Sequence, residues 1–334
     1  MPNETGIVPF WKGYDRKGVL RFAQMAEDLG YHSIWLPEAW GYEQFQLLTE
    51  IAVHTKRIKL ATGITNIFSR SAALLAMTAA TLDEISEGRV ILGLGTSGKK
   101  VIENLHGQKF EKPLTRMRET VQLLRAMLAG EKTRFSGETL KSHGYRQEAV
   151  PGGLPIYLAA LRPRMIELAA ELGDGVILNL FPRQALPRIV EHAARGAERA
   201  GKDPSEVELV CRHQIAVTDD PAATRKLFRM VFASYYATPV YNEFLAWCGY
   251  EHAAREIREG WAAGDRERTA AAIGDELVDA IAIIGTREEC QQRVLEYARG
   301  GIHTHVVSCL GFEPEVVDAT YRAFAPEHFG FHGA

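Results

Sequence analysis

RVILGLGTSGKK, residues 89–100, is the stretch that decides the fold class of this chain. Its glycines allow three different structures. Gly93, Gly95 and Gly98 fit the G-x-G-x-x-G dinucleotide pattern, and the run from Gly93 to Lys99 nearly completes a P-loop. The third structure is a barrel strand whose glycine-rich end approaches a bound cofactor.

The residues around this stretch argue against both nucleotide-binding motifs. A P-loop needs Ser or Thr after its lysine to bind magnesium, and Lys100 stands there instead. A Rossmann site needs an acidic residue at the end of a second strand about twenty residues further on, and none follows. The pattern also lies on roughly the fourth predicted strand, whereas a doubly wound sheet carries it at the first.

Short apolar runs alternate with longer amphipathic stretches along the whole chain. Such alternation predicts parallel strands joined by helices, and about eight units favour a (β/α)8 TIM barrel with insertions. The predicted strands cover residues 6–10, 33–37, 58–64, 90–95, 156–160, 175–178, 207–217 and 303–308. The predicted helices include residues 17–29, 43–55, 71–86, 114–128, 162–172 and 184–200.

Two regions interrupt this alternation. Residues 133–146 predict a small inserted hairpin with Ser136-Gly137 as its turn. Residues 234–280 predict a helical excursion rich in aromatic side chains, which belong more often to a core or a subunit interface than to a substrate site. No linker is evident, so residues 1–334 are interpreted as a single domain.

Composition argues against several classes of partner. The 334 residues carry 39 basic and 42 acidic side chains, a net charge of −3, which gives no reason to expect nucleic acid or an anionic membrane. No apolar run approaches the length of a membrane span, and no signal peptide is evident. The four cysteines are far apart in the sequence, which favours a reducing cytoplasm.

Unusual residues gather at the ends of the predicted strands, where barrel enzymes bind their ligands. Trp11 follows the first strand, and Glu38 and Trp40 follow the second, so a planar cofactor could lie between the indoles and Ile64. The less favoured alternative for Glu38 is an ion-pair or helix-start carboxylate. The residues from Gly95 to Gly98 offer bare backbone N–H groups and hydroxyls to a polyol or phosphate, although these glycines could also merely relieve crowding.

These strand ends belong to motifs that resemble the luciferase-like superfamily, which includes bacterial luciferase, flavin monooxygenases and deazaflavin-dependent reductases. The matching stretches are LGYHSIWLPE (29–38), TKRIKLATGI (55–64), AATLDEISEGR (79–89) and LAAELGDGV (168–176). Within the superfamily the chain is most similar to coenzyme F420-dependent oxidoreductases. That similarity rests on SGKKVIENLHG (97–107), KPL (112–114), YNE (241–243), CGYE (248–251) and DELVD (275–279).

The resemblance implies that the deazaflavin binds at the carboxyl ends of the strands. Gly63 and Ile64 would share a cis peptide bond that bulges against the ring. The remaining expected cofactor contacts are Trp11, Thr62, Gly95, Thr96, Ser97, Ala159, Ala160 and Leu161, with the ribityl chain along residues 95–97 and the phosphate at residues 159–161. We expect no metal, and a homodimer or higher homo-oligomer.

The catalytic expectations are Glu38, Trp40 and His106. Many relatives carry a histidine directly after the second-strand acid, but this chain has Ala39, which weakens a luciferase-type oxygenation. Glu38 or His106 could supply a proton to a small organic substrate if burial shifted its pKa. The alternatives are an FMN-dependent monooxygenase and a flavin-binding protein without catalytic activity.

Overall fold

A computed structural model describes residues 1–9, 15–38 and 41–331. Its strands, in chain order, are β1 (Glu4–Ile7), β2 (Ser33–Leu36), β3 (Lys59–Thr62), β4 (Thr65–Asn66), β5 (Val90–Gly95), β6 (Arg134–Ser136), β7 (Lys141–His143), β8 (Ile156–Ala159), β9 (Gly175–Asn179), β10 (Glu208–Val217), β11 (Ile283–Gly285) and β12 (Thr304–Cys309). Eight of them close a parallel barrel in the order β1, β2, β3, β5, β8, β9, β10 and β12, with β12 pairing back onto β1. The (β/α)8 prediction is therefore confirmed.

Helices surround the barrel, and those predicted from the sequence lie where they were expected. Their bounds are α1 (Arg16–Asp28), α2 (Gln44–His54), α3 (Ala72–Ser86), α4 (Lys99–Asn104), α5 (Pro113–Leu128), α6 (Pro163–Leu172), α7 (Leu186–Arg199), α8 (Pro221–Tyr236), α9 (Pro239–Trp247), α10 (Glu251–Ala262), α11 (Arg266–Ala271), α12 (Asp275–Ile281), α13 (Arg287–Arg299) and α14 (Pro314–Ala323). Short 3₁₀ turns cover Arg183–Ala185 and Pro204–Glu206.

The barrel interior is packed with apolar side chains, one from each barrel strand or its end. This layer consists of Val8, Trp35, Ala61, Ile91, Tyr157, Ile177, Val210 and Val306. Because side chains alternate between the two faces of a strand, the residue two positions further along each strand also points inward, nearer the carboxyl end. The layer is therefore the floor on which a ligand at the barrel mouth would rest.

A larger core lies between the barrel and the helices. In α3, the side chains of Leu75, Ala79 and Leu82 recur at helical spacing and are fully or almost fully buried against the strands. Burial of one leucine of this kind contributes roughly 1.5–3 kcal/mol. Ser71 begins the helix by accepting a hydrogen bond from the Leu74 N–H.

The inserted hairpin is confirmed, but its turn differs from the expected one. Ser136 is the last residue of β6 and pairs with Lys141, so the turn covers residues 137–140 rather than Ser136-Gly137. The reason is Glu119 on α5, whose buried carboxylate accepts hydrogen bonds from the backbone N–H groups of Glu138, Thr139 and Leu140. The turn is therefore fixed by a carboxylate that is distant in the sequence, which a rule based on the turn residues alone does not take into account.

The helical excursion is also confirmed, and it begins earlier, at α8. It has its own apolar core, in which Phe228, Tyr236 and Leu245 are almost fully buried. Tyr235, in contrast, is 44% exposed. Within the described residues, no helix combines the length and apolarity that crossing a bilayer requires.

Candidate active site at the barrel mouth

The segment after β3 turns across the carboxyl ends of the strands. The peptide bond between Gly63 and Ile64 is cis, which confirms the expectation from the resemblance. The Gly63 N–H donates to the Leu36 carbonyl at 2.7 Å, and Gln44 Nε2 donates to the same oxygen at 2.8 Å. Thr65 Oγ1 in turn donates to Gln44 Oε1. The segment is thus tied to β2 and α2 on both sides of the cis bond.

Thr62 was expected to contact the cofactor, but its side chain forms hydrogen bonds within the sheet. Its hydroxyl donates to the Gly93 carbonyl at 2.7 Å and accepts from the Gly93 N–H at 2.8 Å. The side chain is fully buried. A hydroxyl used on both sides within the sheet is not available to a ligand, so Thr62 holds β3 against β5 beneath the mouth.

Gly95 and the residues after it form the neighbouring part of the mouth. A Cβ atom on Gly95 would lie 2.7 Å from Ile64 Cδ1, so the Ile64 side chain lies over this glycine. Ser97 has a left-handed backbone, with φ of 55°, and a Cβ on Gly98 would meet nothing within 4 Å. The backbone of residues 96–98 is therefore open to an approaching ligand.

The end of β8 completes this side. Ala159 and Leu161 are partly buried and Ala160 is buried, with its N–H donating to the Ile177 carbonyl at 3.0 Å. The helix α6 begins directly afterwards, and no side chain caps its amino terminus.

Glu38 is held in an ion pair. Arg70 donates to both of its carboxylate oxygens at 2.6 Å and also to Glu43. The hydrogen bond with Glu38 is the main cause that raises the pKa of the Arg70 guanidinium. The interpretation as an ion-pair carboxylate therefore describes Glu38 as the structure has it, and both oxygens are occupied by guanidinium donors.

Two further catalytic residues were expected, His106 and Trp40. His106 lies on the exposed loop after α4, so the burial on which its role as a proton donor depended is not met. Trp11 and Trp40 lie outside the described residues. Among the described residues, no group of three His, Cys, Asp or Glu side chains is placed to hold a metal ion.

A polar cluster on the opposite wall was missed by the sequence predictions. Arg212 on β10 pairs in register with Asn179 on β9 and with Val306 on β12, and Gln214 pairs with Ser308. Since Val210 and Val306 belong to the interior layer, these polar side chains point into the barrel above it. A charged residue inside the buried run 207–217 was the signal that could have found them.

The geometry of the mouth suits a planar ligand with a polar tail. Ile64 offers an apolar surface, the bare backbone at residues 95–98 and 159–161 suits a polyol and a phosphate, and the polar cluster faces them from β10. In a ring of eight strands, β3 and β10 are four strands apart and so lie on opposite sides. These features define an α/β barrel whose candidate ligand-binding site is the region at the carboxyl ends of its strands.

Comparison with known proteins places this barrel in a family. Residues 11–304 match the family model described as luciferase-like monooxygenase. The chain is 33% identical over 293 residues to a 5,10-methylenetetrahydromethanopterin reductase of Methanolobus tindarius, covering 87% of this chain and 89% of that one. It therefore belongs to the luciferase-like family, as its motifs predicted.

Two further proteins that match this chain have names that mention coenzyme F420. A Mycobacterium tuberculosis protein provisionally named a coenzyme F420-dependent oxidoreductase is 28% identical over 326 residues, covering 90% of this chain and 92% of that one. The structure of a coenzyme F420-dependent tetrahydromethanopterin reductase from Methanopyrus kandleri superimposes with a TM-score of 0.82 at 23% identity, over 99% of this chain and 100% of that one. At that identity the match supports the fold.

Proposed function

We propose that this protein is an oxidoreductase that transfers a hydride between coenzyme F420 and a small organic substrate at the barrel mouth. The observation that carries the proposal is that Ile64 lies over Gly95, directly before the open backbone at residues 96–98. Relatives named for F420 support it. When bound, a deazaflavin supplies a carbon centre that accepts or donates a hydride, while the protein supplies orientation and electrostatics.

In this proposal the chain's residues have distinct tasks. Ile64 supports one face of the ring, residues 95–97 bind the ribityl chain, and residues 159–161 bind the phosphate. Glu38 and Arg70 shape the rim, with Glu38 as a positioning residue because both of its oxygens are bonded to Arg70. Trp40 and His106 stay in the proposal as catalytic residues, and Trp11 stays as a contact of the cofactor.

The test is titration of the purified protein with F420 and, separately, with FMN, followed by tryptophan fluorescence. We expect saturable binding of F420 and a much weaker response to FMN. A monooxygenase solved in complex with FMN has a similar fold, and tight FMN binding without a response to F420 would overturn the proposal. A protein that binds reduced F420 but turns over no enone, imine or alcohol would instead be a flavin-binding protein.

Turnover would be checked with a panel of carbonyl compounds and the reduced cofactor. Gly98→Ala is a useful variant because its Cβ would enter space that is open in the protein alone. If the cofactor approaches this backbone, F420 affinity should fall about tenfold or more, which corresponds to about 1.4 kcal/mol. Unchanged affinity would remove residue 98 from the cofactor site.

We also propose that the chain is one cytoplasmic domain that forms homodimers. Leu74, Met77 and Ile85 are 41–46% exposed on one face of α3, next to Val53 on α2, which is 63% exposed. An exposed apolar face of this kind is typical of a protein interface. Met77→Glu should give monomers in light scattering, whereas Met230→Glu, at a side chain on α8 that is 70% exposed, should not. A monomeric parent protein would overturn the dimer.

A further inference from the structure

The polar cluster opposite Ile64 consists of Asn179, Arg212, Gln214 and Ser308. Gln214 and Ser308 are buried, whereas Asn179 and Arg212 are partly buried. All four side chains rise from the apolar floor of the barrel, on three neighbouring strands. The cluster is therefore built by the most regular part of the fold and not by a loop.

Arg212 has few partners in this cluster. Its Nη2 donates to Ser308 Oγ at 3.0 Å, and its Nε is buried without a hydrogen-bond partner among the described residues. A guanidinium carries five N–H donors in a planar fork. No aspartate or glutamate of the described chain lies within ion-pair distance of it.

The groups around Arg212 are neutral. Gln214 Nε2 donates to Asn179 Oδ1 at 3.5 Å, and the Asn179 side chain is also hydrogen-bonded to Tyr241. The phenols of Tyr235, Tyr241 and Tyr321 lie near enough to interact electrostatically with the guanidinium. Burial raises the pKa of Tyr241 to about 12 and also raises the pKa of Tyr321, so these two phenols are uncharged at neutral pH.

A buried cation without a counter-charge is costly to fold around, because it loses water and gains no ion pair. The fork of an arginine matches a carboxylate with two parallel hydrogen bonds. Arg212 also lies across the barrel from Ile64, so a ring resting on Ile64 would turn its free face toward Arg212. A ligand group at Arg212 would therefore adjoin the reacting face of the ring.

We propose that Arg212, assisted by Ser308, binds a carboxylate of the substrate, so that the substrates of this enzyme are small organic acids. The position of this carboxylate relative to the deazaflavin ring rests on the proposed function. The anion site itself rests only on the surroundings of Arg212. Gln214 and Asn179 line the same site and limit its size.

The test uses benzoate and its neutral analogue benzamide as probes, with binding measured by calorimetry on the full chain with and without F420. We expect benzoate to bind and benzamide to bind at least tenfold more weakly. Arg212→Gln should weaken benzoate binding about tenfold to hundredfold, the loss expected for hydrogen bonds to a charged group. Arg212→Lys keeps the charge but not the fork, and should weaken it less.

Arg188→Gln is the matched control. Arg188 also carries a guanidinium without a carboxylate partner among the described ion pairs, but it stands exposed on α7 outside the barrel, with its Cζ 4.2 Å from the centroid of the Trp247 ring. Its replacement should leave benzoate binding unchanged. Circular dichroism establishes whether each variant is folded. If Arg212→Gln does not fold, the benzoate affinity of Arg212→Lys is the deciding measurement.

Absence of benzoate binding in both conditions, while F420 binds, overturns the anion site and leaves the proposed function intact. Benzoate binding that is equal in the parent protein and in Arg212→Lys and Arg212→Gln also overturns it. Benzoate binding that depends on Arg212, in a protein that does not bind F420, supports the anion site and overturns the proposed function.

Discussion

Two arginines at opposite ends of the barrel differ in how their hydrogen bonds are used. Arg89, at the start of β5, is 8% exposed, and its Nε, Nη1 and Nη2 donate to Ser86 O, Thr55 Oγ1, Ile58 O, Ala52 O and Thr55 O. Arg212, in the middle of β10 and level with the carboxyl end of β9, donates to Ser308 and has a buried Nε without a partner among the described residues. Burial lowers the pKa of both guanidinium groups.

We infer from this difference that Arg89 serves the stability of the fold, whereas Arg212 serves ligand binding. At the amino-terminal end, Arg89 joins the end of α2 to the strands β3 and β5 by satisfying backbone carbonyls. At the mouth, Arg212 keeps donors that the fold leaves unused. Unused hydrogen-bond donors in a buried place are what a ligand can satisfy, so the mouth is where we expect binding.

The largest expected effect is on the free energy of unfolding of the Arg89→Met variant. It leaves several buried carbonyls without donors, which costs about 3–5 kcal/mol. Arg212→Met, in contrast, removes a cation without a counter-charge and should change stability by no more than about 1 kcal/mol. Urea unfolding of both variants, without ligand, measures the contrast. Equal losses would break the comparison between the two ends.

A second contrast lies within the glycine-rich stretch itself. A Cβ on Gly93 would lie 2.0 Å from the Thr62 carbonyl oxygen, whereas one on Gly98 would meet nothing within 4 Å. Gly93→Ala should therefore lose about 3 kcal/mol of stability through overpacking. Gly98→Ala should unfold at nearly the same urea concentration as the parent protein. If both variants unfold at the same urea concentration, the backbone at Gly93 is no more tightly packed than the backbone at Gly98.

We expect acidic pH to lower the stability of the protein through His213, on the outer face of β10. His213 alternates with Arg212 along the strand, stacks on His305 and lies with its Nε2 3.0 Å from His305 Nδ1. Burial lowers the pKa of His213 from 6.5 to about 3. Between those values the unfolded chain binds the extra proton, so stability should be flat above pH 6.5 and fall below it by up to about 1.4 kcal/mol per pH unit.

His213→Gln removes this titration, so its stability should depend less steeply on pH between 6.5 and 4. The measurement is the free energy of unfolding at half-unit steps of pH, for the variant and the parent protein. The same slope in both would show that the buried pair does not hold His213 neutral.

The smallest effect concerns Arg70, an arginine at the mouth that does have partners. Glu38→Gln leaves Arg70 paired with Glu43, and the side chains of Arg70 and Glu38 keep 14% exposure each. The stability change should be within about 1 kcal/mol. A larger loss would mean that the rim contributes to stability as Arg89 does, and that the two ends are less different than we infer.

The sequence predicted the barrel, its strand ends and the cis bond at Gly63, because strand periodicity and the family motifs are local signals. It did not predict the polar cluster. The inward direction of Arg212 depends on the register between β9, β10 and β12, which pairs residues far apart in the chain. The task of Thr62 and the turn of the hairpin were missed for the same reason, since Gly93 and Glu119 reach them from other elements.

The most direct test of the central claim is a crystal structure of the protein with F420. We predict that the deazaflavin ring rests against Ile64, that its tail follows residues 95–98 toward residues 159–161, and that the open space on the other face of the ring ends at Arg212. A ring bound elsewhere, or bound with Arg212 behind the cofactor's own tail, would contradict the account.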